Sequence, residues 1–268
     1  MTPLFGGCRL QCMGYRLGVK ICGVTDEVDA LQAAELGADW IGLNFYEGSP
    51  RYITPEKAES IMHGLPAAVE PVGIFILGEL RSHLDFIPKF HLRTIQLHEE
   101  AEALARDLIE ARTSPRLLLA KPLHISVITA FCVAETNDLL KITAYLKKCR
   151  QARGDLPGSD GPSLAAWMKK PRQKPILPTA ILVDARVPGQ FGGTGKTVPW
   201  DLLADFKPEV PLILAGGLTP ENVAEAVHIV RPYAVDVASG VESSPGHKDA
   251  EKMKRFIENA REAADRLQ

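Results

Sequence analysis

At 268 residues, with 46% hydrophobic and 24% charged side chains, the chain has ordinary globular composition and length enough for one large domain or two small ones. A formal net charge of −2 and a pI near 6.4 supply no basic surface for nucleic acid or an anionic membrane, and no apolar run reaches the roughly 18 residues that a membrane helix needs. These exclusions point to a small-molecule partner, with no nucleic acid and no membrane.

The first 25 residues hold no acidic side chain and include Arg9, Arg16 and Lys20, a pattern like that of a transit peptide, but the stretch is short and lacks serine. Residues 1–18 therefore read as a disordered N-terminal extension. The cysteines, Cys8, Cys12, Cys22, Cys132 and Cys149, are odd in number and have no zinc-like spacing, which suits a reducing compartment and suggests the cytoplasm.

Short apolar runs then recur along the chain. They are "VKICGV" at 19–24, "WIGLNFY" at 40–46, "PVGIFIL" at 71–77, "TIQLHE" at 94–99, "RLLLAKPL" at 116–123, "AILVDAR" at 180–186, "PLILAGG" at 211–217 and "AVDVASG" at 234–240. Several are continuously hydrophobic, as expected of parallel strands covered on both faces. Helix signals lie between them. Thr54-Pro55-Glu56 and Thr219-Pro220-Glu221 each offer a capping hydroxyl, a proline at the first helical position and an acid in the first turn. In "TDEVDALQAAELGA", Val28, Leu31, Ala34 and Leu36 fall close to one helical face. This strand-helix rhythm predicts an α/β fold, a (β/α)8 TIM barrel over residues 19–268, although an open doubly wound sheet would alternate similarly. One interval breaks the rhythm: "ARGDLPGSDGPS" and "KKPRQKP" are rich in Gly, Pro and Lys, so a loop inserted over about 145–178 is expected between strands 5 and 6, with "LLKITAYLKKC" a short helix leading into it.

In a parallel barrel the chemistry sits where strands end. The predicted ends supply Cys22, Arg51 after a Ser49-Pro50 turn, His98, Asp184, the pair Gly216-Gly217, and Asp236 with Ser239 and Gly240. Each residue type admits two readings. Cys22 is a small core residue or a reactive thiol. Asp184 is a carboxylate whose burial needs partners or work. Asp236 binds a neighbouring loop or a ligand, and His98 is a ligand contact or a satisfied imidazole. Arg51 suits a carboxylate or phosphate, or else a surface salt bridge. The glycines permit tight turns, or they let an anion approach backbone N–H groups. "PGQFGGTGKT" at 188–197 superficially matches a nucleotide-binding P-loop, but Gln190 stands where the first glycine belongs and Pro199 follows closely.

The strings "VKICGVT", "GADWIGLNFYEGSPRYITPEKA", "VGIFI", "IQLHE", "LVDAR", "GGTGKT", "ILAGGLTPENV" and "AVDVASGVESSPGHKD", in that order, resemble the phosphoribosylanthranilate isomerases of tryptophan biosynthesis. The joint occurrence of "KICG" on the first strand and "GGTGKT" after the sixth carries the resemblance. It implies an Amadori rearrangement of N-(5-phosphoribosyl)anthranilate without metal or organic cofactor, with the glycine-rich stretch as a loop over the substrate and not a nucleotide site. It also implies Asp184 as general acid and Cys22, as thiolate, as general base. Arg51 would meet the anthranilate end and His98 and Asp236 would line the pocket. The backbones of Gly216, Gly217, Ser239 and Gly240 would hold the phosphate. A monomer is favoured over a homodimer. Glu99 stands where the family usually has glycine, and Pro199 precedes Trp200 in place of the commoner Phe-Asp-Trp, changes that affect loop stiffness more than chemistry. The alternatives are another phosphate-binding barrel, such as a metal-dependent epimerase or a ProFAR-type isomerase, and a catalytically silent barrel used for binding. An epimerase would need several His and Asp ligands where only His98 is well placed, and the ProFAR enzymes use two Asp residues where this chain has Cys22.

Overall fold

The computed structural model describes residues 16–76, 92–98, 126–154, 178–185 and 200–267. Strands β1 (Gly18–Cys22), β2 (Trp40–Asn44), β3 (Glu70–Ile76), β4 (Thr94–His98), β5 (Ser126–Val133), β6 (Ala180–Ala185), β7 (Leu212–Leu214) and β8 (Ala234–Val237) pair in chain order, all parallel. β8 returns to β1, with Lys20 opposite Asp236, so the sheet closes into a barrel. The described helices are α1 (Glu27–Glu35), α2 (Pro55–Gly64), α3 (Thr136–Gly154), α4 (Trp200–Ala204), α5 (Val223–Val230) and α6 (Ala250–Asp265). After β8 the chain makes a 3₁₀ turn over Ser239–Val241 and a hairpin of β9 (Glu242–Ser244) and β10 (His247–Lys248).

Side chains alternate across a strand, and the alternation sorts the apolar residues into two cores. Trp40, Val72, Ile128, Leu182, Ile213 and Ala234 fill the barrel. Val19, Ile21, Ile41, Leu97, Val183 and Val235 point outward and pack with the helices. α6 shows the matching helical period: Met253, Phe256, Ile257, Ala260, Ala263 and Ala264 are buried, and the Asp249 carboxylate caps the first turn by accepting from Lys252 N–H at 3.0 Å. Thr54 caps α2 as its sequence predicts, with Pro55 in the first turn.

Four expectations need correction. The fifth strand is Ser126–Val133; the run at 116–123 lies outside the described residues. β5 is rich in β-branched residues, whereas "RLLLAKPL" is leucine-rich and interrupted by Pro122. No loop begins at 145, because α3 runs on to Gly154 and buries Tyr145, Leu146 and Cys149; residues 155–177 lie outside the described residues. In α1 the buried positions are Asp29, Ala30 and Ala33; Ala34 and Leu36 pack against the core as expected, but Val28 is 64% and Leu31 39% exposed. Finally, α5 begins at Val223, not beside Pro220. The Asn222 side chain holds the preceding turn by accepting from Thr219 N–H at 2.8 Å and donating to the Gly217 carbonyl at 2.9 Å.

Candidate active site

Parallel pairing brings all C-terminal strand ends to one rim, and five predicted residues lie on or just beyond them. Cys22 ends β1, opposite Gly42 of β2, and is partly exposed. His98 ends β4, opposite Ile76 and Ala130. Asp184 lies one residue from the end of β6, opposite Cys132 and half-buried, and it shares the parity of Ala180 and Leu182, which fill the barrel. Asp236 is buried on β8, and Arg51 follows β2. Residues 186–199, which include the stretch 188–197 and Pro199, lie outside the described residues, as does Glu99.

Two ion clusters organise this rim, and of their members Lys20, Gln96, Glu242 and Lys248 were not among the residues expected at the site. Inside the barrel the Lys20 ammonium donates to Asp236 Oδ1 at 2.8 Å and to Gln96 Oε1 at 2.9 Å, crossing from β1 to β4. Lys20 is only 1% exposed. Burial lowers its pKa, but Asp236 and Cys22 outweigh burial and raise it, so the ammonium form is held. On Cys22 burial pushes the thiol up, Asp236 adds to that, and Lys20 and Lys248 oppose it.

The second cluster joins Arg51 to the hairpin after β8. Arg51 donates from Nε and Nη2 to the two oxygens of Glu242, both at 2.7 Å, the bidentate geometry that fixes a guanidinium plane. Lys248 Nζ donates to Glu242 Oε1 at 2.8 Å and to the Ala238 carbonyl at 3.2 Å. Burial raises the Glu242 pKa, but the bonds from Arg51 and Lys248 prevail and hold it below the ordinary carboxylate value. The Arg51 stem lies over Gly23, where a Cβ would come within 2.3 Å of Arg51 Cδ, so the guanidinium is anchored beside Cys22. With two cations to one carboxylate, this cluster has charge left for one anionic ligand group. The hairpin is itself held: Lys248 N–H donates to Asp29 at 2.7 Å and Thr25 Oγ1 donates to the Gly246 carbonyl at 2.6 Å.

Across the rim, Gly216 and Gly217 have φ of 86° and 63°, left-handed values that favour glycine. Gly240 presses against the neighbouring loop, so that a Cβ there would lie 1.9 Å from the Leu218 carbonyl oxygen. Among the described residues, the N–H groups of Gly216, Gly217, Ser239 and Gly240 donate to no backbone carbonyl. Two touching loops whose N–H groups have no backbone acceptor among the described residues suit an anion. Among the described residues no group of three or more His, Cys, Asp or Glu is arranged for a metal, and no helix is long and apolar enough to cross a membrane.

The model of the family described as N-(5'phosphoribosyl)anthranilate (PRA) isomerase matches residues 19–142 and 167–259. The chain belongs to that family. The unmatched stretch, 143–166, overlaps the inserted segment expected from composition. N-(5'-phosphoribosyl)anthranilate isomerase of Geobacter sulfurreducens is 40% identical over 243 residues, 91% of this chain and 98% of the relative. The crystal structure of the isomerase from Thermotoga maritima is 37% identical, with a TM-score of 0.69 over 91% of this chain and 98% of that one. A third isomerase, crystallised with reduced 1-(o-carboxyphenylamino)-1-deoxyribulose 5-phosphate, is 33% identical with a TM-score of 0.64, covering 91% and 98%.

Proposed function

We infer that this chain isomerises N-(5′-phosphoribosyl)anthranilate to 1-(2-carboxyphenylamino)-1-deoxyribulose 5-phosphate, the Amadori step of tryptophan biosynthesis. The observation that carries the reading is membership of the isomerase family over nearly the whole barrel, with Cys22 and Asp184 at the ends of β1 and β6. The chemistry needs one acid and one base. Asp184 delivers a proton to the furanose ring oxygen, the C1′–O bond breaks, and the ring opens to an iminium ion. Cys22, as thiolate, takes the C2′ proton; the C–H electrons form a C1′=C2′ bond, and the C1′=N⁺ electrons return to nitrogen. The resulting enaminol tautomerises to the ketone. Arg51 and Lys248, with one positive charge beyond Glu242, suit the anthranilate carboxylate, and the N–H groups of Gly216, Gly217, Ser239 and Gly240 suit the phosphate. His98 and Asp236 line the space between. In this reading the working unit is a monomer, with a homodimer as the alternative, in the cytoplasm.

The test is the fluorescence loss of phosphoribosylanthranilate with purified protein, against Cys22→Ala and Asp184→Asn. Each variant is expected to lose roughly 10²- to 10⁴-fold in turnover with little change in substrate affinity. A substrate analogue already in open-chain form rescues part of the Asp184→Asn defect and none of the Cys22→Ala defect. Near-normal turnover by Cys22→Ala would make Cys22 a core residue, and absence of turnover by the unaltered protein would leave a binding barrel.

A further inference from the structure

Arg51 is held more firmly than the neutralisation of Glu242 requires. A guanidinium is a flat fork with two edges that fit a carboxylate: a side edge, Nε–H with one Nη2–H, and an end edge, Nη1–H with the other Nη2–H. Glu242 takes the side edge, one oxygen to each donor, both at 2.7 Å. Among the described residues nothing accepts a hydrogen bond from the end edge. Glu242 is itself pinned: Lys248 Nζ donates to its Oε1 at 2.8 Å, Lys252 Nζ donates to its carbonyl at 2.7 Å, and its own N–H donates to the Ser239 carbonyl. On the other side, Ser49 Oγ accepts from the Arg51 N–H and from Asn44 Nδ2, each at 3.1 Å, which ties Arg51 to the end of β2. The Arg51 and Glu242 side chains are 12% and 5% exposed. Lys248 by itself neutralises one carboxylate, so the two-point contact with Arg51 adds orientation more than charge.

We propose that Glu242 is a positioning residue for substrate selection: it grips Arg51 by the side edge so that the end edge meets the carboxylate on the substrate's aromatic ring in two parallel hydrogen bonds. The proposal rests on Arg51 as the contact of the anthranilate carboxylate and supplies what makes that contact selective. A guanidinium free on its flexible stem turns to suit many anions. One gripped along its side edge offers a single plane, which a planar carboxylate fits at two points. Glu242 makes and breaks no covalent bond, and neither it nor Arg51 exchanges a proton in the reaction. The preference it creates is for an aryl amine carrying a carboxylate beside the nitrogen over an aryl amine without one.

The test uses two unreactive analogues of the product: reduced 1-(o-carboxyphenylamino)-1-deoxyribulose 5-phosphate and its counterpart with a plain phenyl ring. Their binding to the whole chain is measured by calorimetry, and the readout is the ratio of the two affinities, in which any effect through the phosphate loops cancels. The unaltered protein prefers the carboxylated analogue about 10- to 100-fold. Glu242→Asp keeps the charge but draws the carboxylate back from the fork; the preference falls about tenfold, while binding of the phenyl analogue changes less than about threefold. Arg51→Lys keeps both charges and leaves Glu242 in place, but an ammonium has no second edge, so the preference falls to a similar degree. That variant carries the test should Glu242→Asp not fold. With Arg51→Lys present, Glu242→Asp changes the ratio less than about twofold, because Glu242 acts through Arg51. An unchanged ratio in either folded variant overturns the proposal, whether both affinities stand or both fall together, since Glu242 would then be a counter-charge or a purely structural residue. Absence of any preference in the unaltered protein removes the assignment of Arg51 to the carboxylate and the proposal with it. Failure of the isomerase reading shows separately, as absence of phosphoribosylanthranilate turnover by the unaltered protein, and the proposal falls with that reading too.

Discussion

Gly240→Ala tests whether the two loops beyond β7 and β8 act together as a phosphate site. An added Cβ would lie 1.9 Å from the Leu218 oxygen, 3.0 Å from its carbonyl carbon and 3.2 Å from Thr219 Cα. All three atoms belong to backbone, so no rotamer change relieves the clash, and the loops must part by about 1 Å to reach even a tight contact. Overpacking of that kind costs about 1 to 3 kcal/mol, which for a chain of this size lowers the thermal midpoint by about 2 to 12 °C. The larger effect falls on function. A displacement near 1 Å separates the Ser239 and Gly240 N–H groups from those of Gly216 and Gly217, and misplacement on that scale costs up to about 10²-fold. The expected kcat/KM is about 10- to 100-fold down, in kcat as well as KM, because binding at a remote phosphate is used to orient the reacting atoms. Thermal unfolding with added inorganic phosphate gives an independent readout: phosphate raises the midpoint of the unaltered protein and not of Gly240→Ala. A variant with unchanged kcat/KM and an unchanged response to phosphate would refute the shared site.

Two further predictions concern stability. Glu242→Gln removes the carboxylate that Arg51 and Lys248 share, and loss of one partner from a buried pair costs about 3 to 5 kcal/mol. Because the folded-state pKa of Glu242 is depressed, its contribution is complete above the ordinary value of 4.5 and is lost as pH falls below it, so unfolding midpoints taken from pH 7 to pH 3 should converge for the two proteins; a gap of constant size would exclude the charge as its cause. Replacing residues 145–178 by a short linker deletes buried Tyr145, Leu146 and Cys149 and should abolish folding, whereas replacing only 155–177 should leave turnover within about threefold, since loop entropy changes slowly with length. Circular dichroism and the fluorescence assay on the two deletions decide it, and equal behaviour would contradict the boundary at the end of α3.

Period and composition made the barrel legible, because several of the parallel strands are apolar on both faces and helices such as α2 announce their starts. They failed where two elements competed for one role. Between "RLLLAKPL" and "SVITAFCV" hydrophobicity alone does not choose; only the second, with Val127, Ile128 and Thr129, completes the register between β4 and β6. In α1 the expected face holds for Ala34 and Leu36 but not for Val28 and Leu31, since Ala30 and Ala33 are the apolar residues buried against the barrel and leave those two in solvent. Asn222 shapes the turn before α5 together with Thr219: its amide reaches both a carbonyl and an N–H, while the Thr219 hydroxyl accepts from Glu221 N–H alone.

At the site, the residues that end strands were legible from topology alone, while their partners were not. Glu242 lies 191 residues from Arg51, and Asp236 lies 216 from Lys20; contacts of that separation leave no local pattern. One signal was present in "VKICGV": a charged residue inside an apolar strand, two positions before Cys22 and so on the same face. Its energetic meaning now follows from the barrel. A buried ion pair is weak support for a fold, because well-packed apolar residues in its place are often neutral or stabilising by about 1 to 4 kcal/mol. Here the pair is completed by Gln96, so each buried charge keeps a hydrogen-bonded partner across the barrel and removing any one of the three would leave another uncompensated.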